Sequence, residues 1–246
     1  MGPITIGVDI GQKADPTAVA VDEMQWRAEG GKRVDYHIIR HLERLPLGTK
    51  YPVVTQRLAA IHAGVRQVAL QSSARPAAAV YDPAITAYRR VAGQQTLTPI
   101  RIYVDATGVG QPVVDLLTQT GMRLCPCYFT YGDRRIAQHD GTVTIGKAWL
   151  VSRLQALLQS GRILLPKTEE SAALAKELLD YEIKVDQEAN DKYGAFRVGA
   201  HDDLVTALGL AVQDIARVPG TPVAGGTRVV LCPAPQPRHS NALPPR

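Results

Sequence analysis

With 246 residues and 45% hydrophobic side chains, the chain can bury one sizeable α/β core but leaves little for a second large domain. A formal charge of +5 favours an anionic partner, with nucleic acid the commonest for a basic domain, although the Lys and Arg residues are scattered. The 5% aromatic content argues against a base-stacking or sugar-binding surface. Cys125, Cys127 and Cys232 have neither zinc-ligand spacing nor the look of a disulfide framework.

In chain order, Ile4 to Ile10 alternates, with Ile4, Ile6 and Val8 on one face and Thr5, Gly7 and Asp9 on the other. A turn through Gly11 to Pro16 leads to strands predicted over Thr17 to Asp22 and Arg33 to Leu42, joined through Gly30-Gly31-Lys32 as an antiparallel meander. Val54, Leu58 and Ile61 then recur at helical spacing, and a Pro- and Ala-rich stretch follows from Ser72 to Pro83. The span from Ser72 to Pro99 is long for a connection and could add a lid or a partner surface. Ile100, Ile102 and Val104 alternate with Arg101, Tyr103 and Asp105, repeating the first strand's arrangement and again leaving an aspartate at the end of the opposite face.

A short helix ending near Gly121, a strand from Arg123 to Phe129 and a polar loop or hairpin over Thr130 to Gly146 come next. Leu150, Val151, Leu154, Leu157 and Leu158 form one helical stripe that closes at Gly161, and Ile163 to Leu165 reads as a short strand stopped by Pro166. Helix is predicted over Glu169 to Ile183 and again over Asp203 to Ala216, with Leu204, Leu208, Ala211, Val212 and Ile215 on one face of the latter. The remainder is rich in Pro and Gly. The expected organisation is a domain over residues 1–217 and a flexible tail over 218–246. The order of elements predicts an α/β fold with a mixed central sheet flanked by helices.

Hydrolysing a phosphodiester at neutral pH requires a nucleophilic water and charge stabilisation on the attacking and leaving oxygens. Two Mg²⁺ or Mn²⁺ ions about 3.5–4 Å apart meet both needs and take oxygen ligands. Adjacent parallel strands would bring Asp9 and Asp105 within about 5 Å, and Asp202 and Asp203 begin a helix that could pack across them. Taken singly, each aspartate also reads as a strand end or a helix cap. Asp202 alone would serve as a cap, which leaves Asp203 without that explanation.

Gly7 to Gly11 (GVDIG), Asp15 to Val21 (DPTAVAV), Tyr103 to Gly110 (YVDATGVG), Gly161 to Pro166 (GRILLP) and His201 to Ala211 (HDDLVTALGLA) resemble, in order and spacing, the motifs of the RNase H-like nuclease domain of phage terminase large subunits. The resemblance spans nearly all of Ile4 to Ala216. It implies an RNase H-like fold with three antiparallel strands followed by parallel ones, and a two-metal endonuclease that cuts concatemeric double-stranded DNA during genome packaging. It places catalytic and metal-binding roles on Asp9, Asp105, Asp202 and Asp203, with the choice between the last two open. Arg134 and Arg135 fall in the hairpin that family members set beside the active site. Lys147, at the start of a helix, is a third candidate for DNA contact. Each of the three also reads as a solvated surface charge, and His201 and His139 as hydrogen-bonding neighbours.

A packaging motor needs a GxxxxGK[ST] phosphate loop, and Gly108 to Val114 has the glycines without the lysine and hydroxyl. Translocation would therefore be supplied by a separate packaging ATPase, with a portal or small terminase subunit as further partners. No run of about 18 apolar residues occurs and no membrane partner is expected, so the resemblance implies the cytoplasm of a bacterial host. The competing readings are a Holliday-junction resolvase or other structure-selective nuclease with the same acids, an actin-like ATPase suggested by GVDIG, and an inactive DNA-binding scaffold.

Overall fold

A computed structural model describes residues 2–11, 15–74, 100–108, 110–180, 182–185, 191–194 and 201–214. An eight-stranded sheet of order β6-β7-β5-β4-β1-β2-β3-β8 forms its centre. Strands β1 (Ile4–Asp9), β2 (Ala18–Glu29) and β3 (Lys32–Arg44) make the expected antiparallel meander. Helix α1 (Tyr51–Ala74) follows. Strand β4 (Ile100–Asp105) lies parallel to β1, and after helix α2 (Gly110–Thr118) strand β5 (Leu124–Thr130) lies parallel to β4. The polar hairpin of the sequence joins the sheet edge as β6 (Arg135–Ala137) and β7 (Val143–Gly146), with β7 parallel to β5. Helix α3 (Lys147–Gln159), the two-residue strand β8 (Ile163–Leu164) against β3, helix α4 (Glu169–Asp180), a separate hairpin β9 (Glu182–Val185) and β10 (Asp191–Gly194), and helix α5 (Asp203–Ala211) complete it.

Strand alternation divides the core into two layers. Ile4, Ile6, Val8, Ile102 and Val104 pack with Leu58 and Ile61 of α1 and Val113 and Leu117 of α2. On the opposite face, Ala18, Ala20, Ile39 and Leu42 pack with Leu154 and Leu157 of α3, Leu174 of α4 and Leu204, Val205 and Leu208 of α5. Each Leu or Ile wholly removed from water contributes about 1.5–3 kcal/mol, so both faces of the sheet are tightly covered.

Three expectations are revised. Helix was predicted to run through Ile183, but α4 stops at Asp180 and Glu182–Val185 is a strand paired antiparallel with β10. The period-2 order Glu-Ile-Lys-Val suits a ladder better than a fourth helical turn. The second strand was predicted to end at Asp22; it continues to Glu29, with a bulge between Val21 and Asp22. Its far half pairs across a two-glycine turn in which Gly30 and Gly31 both take positive φ, 54° and 75°, the conformation a tight hairpin requires. Finally, α5 is buried on every side rather than along one stripe, because it is wedged between the sheet and helices α3 and α4.

Cys125 and Cys127 are buried and form no disulfide. No helix among the described residues is long and apolar enough to cross a membrane. The span predicted as a long connection lies largely outside the described residues, as do the boundary at residue 217 and the tail over 218–246.

Candidate metal site

The register of β1 against β4 pairs Ile4 with Ile100 and Val8 with Val104, so Asp9 and Asp105 end adjacent parallel strands on the same face. That face is the one α5 covers, and Gly7 is what admits the helix. A Cβ at Gly7 would lie 2.1 Å from the Ala207 carbonyl oxygen and 2.4 Å from the Ala211 nitrogen, both backbone atoms with no room to retreat. The helix rests directly on the strand two residues before Asp9, and its first turn brings Asp202 and Asp203 to the strand ends.

The electrostatics report the convergence. Burial raises the Asp9 carboxyl well above its ordinary range, and the charges of Asp105, Asp202 and Asp203 raise it further, while Lys147 opposes them. Asp105 is also raised, by burial first, against hydrogen bonds from Thr107 and the charge of Lys147. The Thr107 amide donates to Asp105 Oδ1 at 2.8 Å, and the Thr107 hydroxyl in turn accepts from the Phe129 amide at 2.8 Å. Asp105 is thus oriented by the turn that follows its strand.

The adjacent acids differ. Asp202 sits at the N-cap of α5 yet its side chain makes no capping hydrogen bond. Asp203 is buried, and Arg44 Nε donates to its Oδ2 at 2.6 Å. Burial raises Asp203, with Arg44 lowering it. Capping comes from another helix: Leu204 and Val205 amides donate to Glu177 Oε2 at 3.0 and 3.2 Å. His201 Nδ1 lies 3.7 Å from Asp203 Oδ1 and 4.0 Å from Asp15 Oδ1, too long for hydrogen bonds.

Lys147 begins α3 with its ammonium 5.5 Å from the centre of the Phe129 ring, and its charge reaches both Asp9 and Asp105. Arg134 is exposed. Arg135 is turned inward, its side chain 6% exposed, donating through Nε to Gln213 Oε1 at 2.7 Å and through a terminal nitrogen to the Tyr103 hydroxyl at 3.4 Å. Touching DNA would require Arg135 to leave those partners. His139 is exposed on the β6–β7 turn. Arg44 and Glu177 were missed in the sequence; the only signal was a glutamate three residues after Leu174 on the buried face of a helix.

The carboxylates offer hard oxygen donors of the kind Mg²⁺ and Mn²⁺ take, and Asp203 Oδ1 is buried without a hydrogen-bond partner. Among the described residues no group of three or more His, Cys, Asp or Glu side chains is placed closely enough to hold a metal ion. The donors form a cluster sharing one field, suitable in chemistry and not drawn into a finished coordination shell.

A family model described as the terminase RNase H-like domain matches residues 81–214, more than half of the chain. The chain belongs to that family. Its fold is shared with solved terminase nucleases: the large terminase nuclease of thermophilic phage G20c aligns with a TM-score of 0.53 at 19% identity, over 87% of this chain and 83% of that one. The same nuclease with bound cobalt gives 0.51 at 20% identity, covering 85% and 79%. The large terminase nuclease domain of Thermus phage P74-26 gives 0.50 at 18% identity, covering 85% and 77%. A search of curated proteins gave no match. The terminase match takes in Asp105, Lys147, Asp202 and Asp203, while Asp9 lies before it.

Proposed function

We propose that this terminase-family chain is a divalent-metal-dependent endonuclease that hydrolyses phosphodiester bonds of double-stranded DNA in phage genome packaging. The observation that carries the reading is the meeting of Asp9, Asp105, Asp202 and Asp203 at one end of the sheet, where their charges raise the Asp9 carboxyl together with its burial. Like charges gathered without hydrogen-bond partners for all their oxygens destabilise a fold, and a cation is the partner that reverses the sign. The G20c nuclease, similar in fold, binds cobalt, which supports a divalent ion here.

Asp9, Asp105 and Asp202 would hold the metal, with Asp203 Oδ1, buried and without a hydrogen-bond partner, as a further donor, and Mg²⁺ or Mn²⁺ in a two-ion arrangement is the reading we favour. Bound there, such ions supply an activated water and neutralise charge on the phosphate. Asp9 and Asp105 hold their oxygens at fixed strand ends, so little reorganisation accompanies binding. Asp202, whose side chain makes no capping hydrogen bond, would be free to turn toward them, while Asp203 accepts from Arg44 through Oδ2. Lys147 would approach a nonbridging phosphate oxygen from the α3 side, and Arg134 would meet the backbone farther along the duplex. A packaging ATPase, portal or small terminase subunit would deliver the DNA.

Plasmid nicking in Mg²⁺ or Mn²⁺ tests the assignment. Asp9→Asn and Asp105→Asn are each expected to lower the rate by about 10²–10³-fold, the scale of losing one preorganised charge-stabilising group. Nicking that persists in both variants, or that is indifferent to EDTA, would overturn it. Strong preference for a four-way junction over linear duplex would instead move the substrate to branched DNA.

A further inference from the structure

We propose that Glu177 and Arg44 are positioning residues for the metal site: Glu177 caps α5 from outside so that Asp202 need not, and Arg44 binds that cap to Asp203. The inference rests on the metal-site reading above and concerns how the acidic pair divides its work.

A helix N-terminus presents amide N–H groups without intrahelical acceptors, and an aspartate at the N-cap ordinarily folds back to accept one. Asp202 occupies that position with φ −130° and ψ 13° and accepts none. The acceptor is Glu177 Oε2, which takes both the Leu204 and the Val205 amides in a buried setting. Its other oxygen contacts the Arg44 guanidinium, which also donates to Asp203 Oδ2. One guanidinium, 27% exposed, thus faces two carboxylates that are 7% and 3% exposed, and joins β3, α4 and the first turn of α5.

The arrangement has a chemical reason. Two negative charges against one positive would be poorly placed in the interior, but the positive end of the α5 dipole lies where the excess falls. A self-capping Asp202 would direct an oxygen at its own helix and away from Asp9 and Asp105. Moving the cap to Glu177 leaves both Asp202 oxygens to a cation and fixes the axial position of α5 at the site. An ion pair that served stability alone would have no need to replace the cap residue's own hydrogen bond.

Two conservative variants separate reach from charge. Glu177→Gln keeps the length and a carbonyl oxygen able to accept from Leu204 and Val205, and drops the charge. Glu177→Asp keeps the charge and withdraws the acceptor by one methylene. Calorimetric titration with Mn²⁺ alone, well below each variant's melting temperature, should show Glu177→Gln within about threefold of the native affinity. Glu177→Asp should bind about 10–100-fold more weakly, the range for losing an outer-shell partner. Native affinity in a folded Glu177→Asp protein, or the reverse order of the two variants, overturns the inference while leaving the metal site standing. A native chain that fails to bind Mn²⁺, or an Asp9→Asn chain that binds it equally well, overturns the metal-site reading and the inference with it.

Discussion

Helix α5 meets charged side chains at both ends, and the two clusters are built on opposite terms. Beyond its C-terminal end, Asp214 accepts from Arg101 at 2.6 Å and from the Tyr103 hydroxyl at 2.7 Å, while Arg153 donates to the backbone oxygens of Val212 and Asp214 at 2.7 and 2.8 Å. Cations outnumber anions there, yet the groups named are joined by hydrogen bonds, and Arg101, which burial alone would lower, is raised by Asp214. At the N-terminal end carboxylates gather with Lys147 and Arg44 as opposing charges, and Asp9 is pushed up. One cluster is paired within the protein; the other leaves carboxylate charge that its cations only partly oppose. Buried charge by itself therefore does not mark a site, whereas buried charge left uncompensated does.

The comparison breaks most visibly at Asp214. Asp214→Ala removes the acceptor from Arg101 and Tyr103, and leaving buried partners unpaired costs about 3 kcal/mol. Differential scanning calorimetry should find the melting temperature lower by about 6–12 °C. A loss below about 1 kcal/mol would mean that this network is no more than surface pairing.

Asp9→Asn should act in the opposite direction when metal is absent. A carboxyl whose folded pKa is raised above its ordinary 3.8 binds its proton more tightly in the folded chain. Its contribution to stability therefore falls as pH rises from that value through the raised one, and the cost is complete above it. In EDTA the native chain should lose melting temperature over this window. The asparagine variant should show a flatter profile and melt about 2–4 °C higher at neutral pH, the shift for roughly 1 kcal/mol. Saturating Mn²⁺ should recover stability only in the native chain. A lower melting temperature for Asp9→Asn in EDTA would show that Asp9 is compensated in the metal-free fold.

The smallest effect concerns the seam between the clusters. Cys127 pairs in register with Asp105 and lies 3.8 Å from Gln213 Nε2, and burial pushes its thiol up to about 12. Iodoacetamide at pH 8 should leave it unmodified until the chain unfolds, by mass spectrometry. Rapid labelling of folded protein would mean that water reaches between the two ends of α5.

Most of the fold was legible because strands and helices write their facing into the spacing of apolar residues. Ile4, Ile6 and Val8 against Gly7 and Asp9 placed β1 between its two layers, and the same pattern in β4 suggested its kinship. What stayed hidden depends on partners distant in sequence. Arg135 looked like any hairpin cation until Tyr103 and Gln213 enclosed it. Glu177 was one acid among several in EESAALAKELLD, and its value lies in amides 27 and 28 residues away. The acidic pair was visible, but its division of labour was not, since neighbouring residues on one turn differ only in what tertiary structure brings to each.

Gly7 and Asp9 share a face two residues apart, the first seating α5 and the second ending the strand, so one short stretch sets both the bearing and the working edge. An insertion between them would invert one relative to the other and cannot be absorbed nearby. The β2–β3 ribbon is the counterpart: residues 27–33 are exposed, and the Gly30–Gly31 tip stands about 40 Å along β2 from the residue paired with Asp9, at about 3.3 Å per residue. A reporter peptide or fluorophore grafted at that tip would ride on the molecule without disturbing its acids.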